Sequence, residues 1–189
     1  MSLMKSRQLV LVIVGIGIIL LMVLGLLWER PKAPSLPSSP SQASSSEGIV
    51  PGTSSVSDLE KLTGELAVIP NDDGTVTHTY GLETDPQPIE VIVKDGWVAF
   101  LKKRPTSKDP LLLEEYVKRF GEYDLSLYSH EPGFKAYVFL DAGLVVIAHE
   151  VKGDVIELQY FTPTTKEDFL ASWGKDFPSA SPTLPPGYY

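Results

Sequence analysis

The residues best equipped for chemistry in this chain are three histidines, a scatter of carboxylates and one short basic run. His78 lies in TVTHTY on the same strand face as Val76 and Tyr80, His130 in the turn SHEPG, and His149 in the strand IAHEV. No two of them stand at the spacing by which imidazoles share a metal ion, so each reads as an ordinary surface or half-buried side chain. The sequence has no GxSxG, no phosphate-binding glycine loop, no HExxH and no zinc ribbon. Cysteine is absent, which removes disulfides, thiolate metal sites, thiol nucleophiles and a lipid-bearing cysteine together. Asn71-Asp72-Asp73-Gly74 lacks the further ligands and the twelfth-position Glu of a calcium loop, and reads as a turn between strands. Lys102-Lys103-Arg104, with Lys108, reads as a solvated loop, the functional alternative being contact with phosphate-rich wall polymer or lipid headgroups. Pro185-Pro186-Gly187-Tyr188 matches the PPxY pattern and reads as coincidence. No catalytic, cofactor or metal site is therefore expected.

The aromatic residues point elsewhere. Trp97, Phe100, Tyr137, Phe139, Tyr160 and Phe161 fall on strands whose two faces are both rather apolar. Either covering layers bury both faces of the sheet, or one face is a docking surface, with Trp97, Phe100, Tyr137 and Phe139 as its residues. The leading expectation is a non-catalytic domain that binds a protein or cell-envelope component. The alternative is a small-molecule sensor or hydrolase with a pocket between two halves of the domain, where Tyr80, Tyr128, His130 and Glu131 would be suspected.

The elements that must position these residues can be read from caps, turns and periodicity. Ser57-Asp58-Leu59-Glu60 forms a capping-box pattern, and Gly64 stops the short helix it opens. Asp109-Pro110 supplies an N-cap and a first-turn proline for LLLEEYVKRF, ending at Gly121. Thr164-Thr165-Lys166-Glu167 opens a third helix, placed over 165–173. Between them, IEVIVKDGWVAF and KAYVFLDAGLVVIA each alternate apolar residues around a Gly-containing turn, as hairpins do. Trp97, Ala99 and Leu101 should share one face, as should Ile156, Leu158 and Tyr160 on the strand after Lys152-Gly153-Asp154. Gly64-Glu65 answers Gly121-Glu122, and Gly96 answers Gly143. The expected fold is thus α+β, with helix plus antiparallel hairpin or meander units over 57–104 and 109–161 packed into one domain.

This pattern of a short helix ending in Gly, a Tyr-bearing segment and a hairpin resembles the SmpA/OmlA small-lipoprotein family. A tandem version of the unit is found in the beta-lactamase inhibitor proteins. The resemblance covers residues 57 to about 161 and implies an α+β domain that works by binding another protein. The lipid-bearing cysteine of that family is missing here, and no functional residue is carried over.

The flanks suggest where the domain sits. Residues 9–28, starting LVLVIVGIGIILLMVLGLL, carry no charge, and at ~1.5 Å per residue the run from Leu9 to Leu27 would span about 28 Å, close to a bilayer core. The run is longer than the apolar part of a signal peptide and is followed by Trp28-Glu29-Arg30-Pro31, a poor cleavage context. A single-pass span is expected, with residues 1–8 cytoplasmic and the rest of the chain extracytoplasmic at the cell membrane. Residues 29–56 read as a Ser/Pro-rich disordered linker, 57–177 as the folded domain and 178–189 as a disordered tail. The chain's formal net charge is −8, and four of its basic residues against two of its acids lie ahead of residue 57. The domain itself is therefore still more acidic, which disfavours nucleic acid as a partner.

Overall fold

Asp95 and Gly96 take φ values of 51° and 81°, the left-handed pair that a tight hairpin turn requires, and they fold β3 (Asp85–Lys94) back onto β4 (Trp97–Lys103). Before them, β1 (Glu65–Pro70) turns through Asn71–Thr75 into β2 (Val76–Leu82). Asn71 Nδ2 donates to Thr75 Oγ1 at 2.8 Å, and Asp73 Oδ1 accepts from the Thr75 amide at 3.0 Å, so side chains close this turn. The second set of strands is β5 (Leu125–Tyr128), β6 (Phe134–Phe139), β7 (Leu144–His149) and β8 (Val155–Phe161). All pairings are antiparallel and make one eight-stranded sheet in the order β1-β2-β3-β4-β8-β7-β6-β5. Two short helices, α1 (Leu113–Phe120) and α2 (Lys166–Ala171), and 3-10 turns at Val56–Lys61 and Trp173–Asp176 complete the structure. This computed structural model describes residues 48–182, apart from 63, 83 and 84. The expected arm 1–8, the apolar span 9–28, most of the linker and the end of the tail lie outside these residues.

This architecture corrects the expected α+β arrangement of helix–hairpin repeats. The fold is one strand-rich sheet, because the segments assigned to variable connections are themselves strands: 65–70 and 76–82 form β1 and β2, and 125–128 form β5. A lone hairpin leaves rows of unpaired N–H and C=O groups on both edges, and pairing with further strands satisfies them. The helices are correspondingly slight. Asp58 does not stand inside a box opened by Ser57; its carboxylate accepts from the Ser55 amide at 2.8 Å and from Lys61 at 2.6 Å, holding a six-residue 3-10 turn. Asp109 does not cap α1 either. It accepts from the Thr106 amide at 2.9 Å and from Lys103 Nζ at 2.7 Å, and the helix begins only after Leu112. Among the described residues no helix is long and apolar enough to cross a membrane.

Two bulges decide which side chains face which way. Ile92 pairs with Phe100 and Val93 with Val98, so Ala99 is an extra residue in β4. Val98 and Leu101 consequently share a face, and the expected Trp97–Ala99–Leu101 stripe is broken. In β8, Ile147 pairs with Glu157 and Ala148 with Val155, which sends Ile156 to the face opposite Leu158 and Tyr160.

Both faces of the sheet are covered. On the first, Ile49, Leu59 and Leu62 from the N-terminal segment and Tyr116 of α1 bury Val91, Leu101, Val146, Leu158 and Tyr160. Ile49 is buried and the Gly52 amide donates to the Val98 carbonyl at 2.8 Å, so the folded part begins well before residue 57. On the second face, Phe169 of α2 packs on Phe161, Val138 and Val145, flanked by Trp173 and Phe177. Phe169 is fully buried with its ring centroid 5.0 Å from that of Phe161. Phe169→Ala should destabilise the domain by about 3–5 kcal/mol. A urea denaturation midpoint lowered to that extent would confirm that α2 is part of the core, and an unchanged midpoint would place it outside.

Candidate functional site

The four residues singled out for docking do not form one surface. Tyr137 and Phe139 lie on the first face, where Tyr137 meets Tyr123 edge-on at 4.9 Å and Phe139 meets Phe120 at 5.9 Å. Phe100 lies on the second face beneath Trp173. All three are buried, because each sheet face has a covering layer; Trp97 alone is exposed, at 53%, beside the β3–β4 turn. Of the four, Phe100 is the one that reaches a cleft.

That cleft, of about 280 Å³, opens on the second face where the two sets of strands meet. Its floor is Glu90 and Ile92 of β3, Phe100 and Lys102 of β4, and Gln159 of β8. Cross-strand register sets them side by side: Glu90 pairs with Lys102, and Lys102 with Gln159. Lys102 Nζ stands 2.8 Å from Glu90 Oε2, and Gln159 Nε2 donates to Glu157 Oε1 at 2.6 Å. His130, in the β5–β6 connection, approaches from one side; Trp173, Asp176 and Phe177 come from the C-terminal segment.

The C-terminal wall is held by local chemistry. Thr165 caps α2, its hydroxyl accepting from the Asp168 amide at 3.2 Å, and Ser172 Oγ donates to the Asp168 carbonyl at 2.6 Å at the other end. The chain then settles onto Phe169 at Gly174, where a Cβ would come within 2.9 Å of the ring. Trp173 is thereby laid against Phe100 with ring centroids 4.7 Å apart and planes inclined by 27°. Trp173, Asp176 and Phe177 were not among the residues that sequence reasoning selected. The four-residue spacing of Phe169, Trp173 and Phe177 is the signal that could have found this wall.

A second concavity, of about 320 Å³, lies on the first face between the 3-10 turn at Val56–Lys61 and strands β1 and β2. Here Glu65 Oε1 sits 3.0 Å from His78 Nδ1 and accepts from the Tyr80 hydroxyl at 3.2 Å. The His78 hydrogen bond holds the Glu65 carboxyl below its ordinary range against the opposing effect of burial. Burial, with the Glu65 charge beside it, pushes Tyr80 up to about 12. Ser57 lines the same groove with its hydroxyl 2.8 Å from Ser55 Oγ. The residues suspected of sharing a pocket are therefore dispersed: Tyr80 is here, His130 is at the other cleft, and Tyr128 sits on edge strand β5 with Lys135 Nζ 5.8 Å above its ring. Glu131 lines neither concavity. Among the described residues no group of His, Asp or Glu is arranged to hold a metal ion.

The basic run also divides. Lys102 belongs to the cleft, whereas Lys103 is buried on the opposite side against Asp109, contrary to a wholly solvated loop. Burial pushes the Asp109 carboxyl up, but hydrogen bonds from Lys103 and the Thr106 amide outweigh it and hold the group below the usual carboxylate range. Tyr116 and Tyr160 nearby are raised by burial first and by the Asp109 charge second.

No family model matches the chain, and no curated protein matches it. Among solved structures it is similar to a DUF4309 family protein, YjgB, from Bacillus subtilis, at 14% identity and a TM-score of 0.41, over 63% of this chain and 85% of that one.

Because the folded-state carboxyl of Asp109 is held low, the stability it contributes is complete above the ordinary carboxylate range and is lost as pH falls through the folded value. Asp109→Asn should lower neutral-pH stability by about 1–3 kcal/mol through the weakened hydrogen bonds to a buried ammonium. Melting temperatures followed from about pH 6 to about pH 2 should fall more steeply in the native chain than in the variant. Parallel curves would show that the pair does not govern acid stability.

Proposed function

We propose that the domain is a ligand-binding module held outside the cytoplasm at a membrane by the apolar run 9–28, and that it engages a protein or envelope component at the cleft over β3, β4 and β8. The location is drawn from the sequence: an apolar run, a Ser/Pro-rich tether and an acidic domain follow in that order. The binding site is drawn from geometry. One observation carries it: an aromatic wall, Trp173 on Phe100, converges with an ion pair, Glu90–Lys102, in a single open concavity. Binding sites combine apolar walls with a few placed polar groups in this way, the walls supplying area and the polar groups fixing orientation.

The test is binding of the full chain to immobilised envelope fractions, compared with Trp173→Ala and with a control at the highly exposed Val151. Trp173→Ala should weaken binding by at least about tenfold, as loss of a buried aromatic anchor does, with Val151→Ala unchanged. Equal binding by all three would refute the cleft as the site. The sensor reading instead uses the first-face groove, where Glu65 orients His78. Binding that survives Trp173→Ala and is lost in His78→Ala would transfer the site there.

A further inference from the structure

The cleft's own chemistry narrows the class of ligand, on the reading that this cleft is the binding site. Its only lysine, Lys102, is already 2.8 Å from a carboxylate, and Asp176 adds a second acid at the rim. A phosphate or carboxylate would therefore meet no uncommitted lysine ammonium and would face two acids in a domain whose net charge is negative. A cation gains little from Glu90, whose charge is answered by Lys102, and little from Asp176, which is exposed at the rim where solvent screens an ion pair. Neutral ligands are left. Along one wall the cleft presents aromatic surface from Trp173, Phe177 and Phe100, which takes up an apolar ring face. Along the floor and rim it presents closely spaced acceptors and donors of both kinds: the Glu90 and Asp176 carboxylates, the Gln159 amide, the Lys102 ammonium and the His130 ring. A group that fits both must combine an apolar face with several hydroxyls that donate and accept around its edge. About 280 Å³ suits one or two rings, below most sites that enclose a drug-sized molecule.

We propose that the cleft binds a neutral saccharide, one pyranose ring stacking on Trp173 while its hydroxyls are hydrogen-bonded by Glu90, Lys102, Gln159 and Asp176. Trp173 supplies the stacking surface; the Glu90–Lys102 pair supplies acceptor and donor at adjacent positions, so a diol bridges both. The openness of the cleft on the sheet face admits a ring within a longer polymer as readily as a free sugar.

The test titrates the full chain, in detergent micelles, with four probes: a glucose trisaccharide, an N-acetylglucosamine trisaccharide, adenosine and inorganic phosphate. The readout is the Trp173 indole N–H resonance, assigned by its loss in Trp173→Ala. A saturable shift with a trisaccharide, and none with adenosine or phosphate, is expected. Affinity, taken for native chain and variants alike from isothermal titration calorimetry because Trp173→Ala has no indole signal at this position, should fall at least about tenfold in Trp173→Ala. Asp176→Ala, at an exposed position that leaves the aromatic wall intact, should fall several-fold, and it keeps the test decisive where the tryptophan variant does not fold. A response to adenosine or phosphate at Trp173 without one to either trisaccharide would overturn the saccharide assignment and leave the cleft standing as a site. Trisaccharide binding that neither variant weakens would overturn both. Silence of the indole to all four probes would overturn the saccharide proposal, and the envelope-fraction comparison would then decide the cleft separately.

Discussion

The structure depends on a short antiparallel seam at which β4 and β8, distant in sequence, lie side by side. Four pairs make it: Phe100 with Phe161, Leu101 with Tyr160, Lys102 with Gln159, and Lys103 with Leu158. Strands β1 to β3 continue the sheet outward from β4, and β7 to β5 from β8, so this join converts two meanders into a single sheet. Alternation of side chains across it gives each face its content. Leu101, Leu158 and Tyr160 enter the first-face core, Phe100 and Phe161 the second. Lys102 and Gln159 fall in the cleft, and Lys103 is driven to the buried side where only Asp109 makes it tolerable. A slip of one residue would exchange these roles at once, so the register of the seam and the identity of the site are one constraint.

A sheet with apolar side chains on both faces needs two covering layers, and the chain's two flanks provide them. The N-terminal segment supplies Ile49, Leu59 and Leu62 to the first face and also pairs with the start of β4, the Val98 amide donating to the Ser54 carbonyl at 2.9 Å. β4 is thus bonded on its outer side by this segment near Val98 and by β8 from Phe100 onward, with the Ala99 bulge at the change of partner. The C-terminal segment covers the second face less completely. Phe169 fills the core, while Trp173 and Phe177 are only partly buried and leave the cleft between themselves and the strands. The candidate site is what an incomplete lid leaves open.

How much of this was legible in the sequence follows the range of the interactions. Short-range signals read well: the Asp95-Gly96 turn, the Asn71–Gly74 turn, a helix start within Thr164–Glu167 and the apolar alternation of β3, β6 and β7 all rest on residues close in the chain. Asp109 misled because a cap and an ion-pair acceptor have the same composition, and Lys103, six residues away, claimed the carboxylate. The bulges at Ala99 and Ile156 misled because a period-two pattern has no local mark for an inserted residue. β1 is an edge strand with Leu66, Val68 and Ile69 exposed, so its pattern does not show the burial contrast that identifies a strand, and β5, at the other edge, does alternate but over only four residues. Of the site, Phe100 and His130 were picked out for other reasons. The cleft itself requires the seam and the C-terminal fold-back, both non-local, and neither is written in any single stretch.

The cleft exists because the C-terminal segment lies on the second face at the seam. The most direct measurement is a nuclear Overhauser spectrum of the chain with labelled aromatic rings. Centroids at 4.7 Å for Trp173 and Phe100, and at 5.0 Å for Phe169 and Phe161, predict strong cross-peaks between the rings of both pairs. A Trp173 indole whose cross-peaks ran only to its sequence neighbours, with Phe100 in contact with some other layer, would contradict the account.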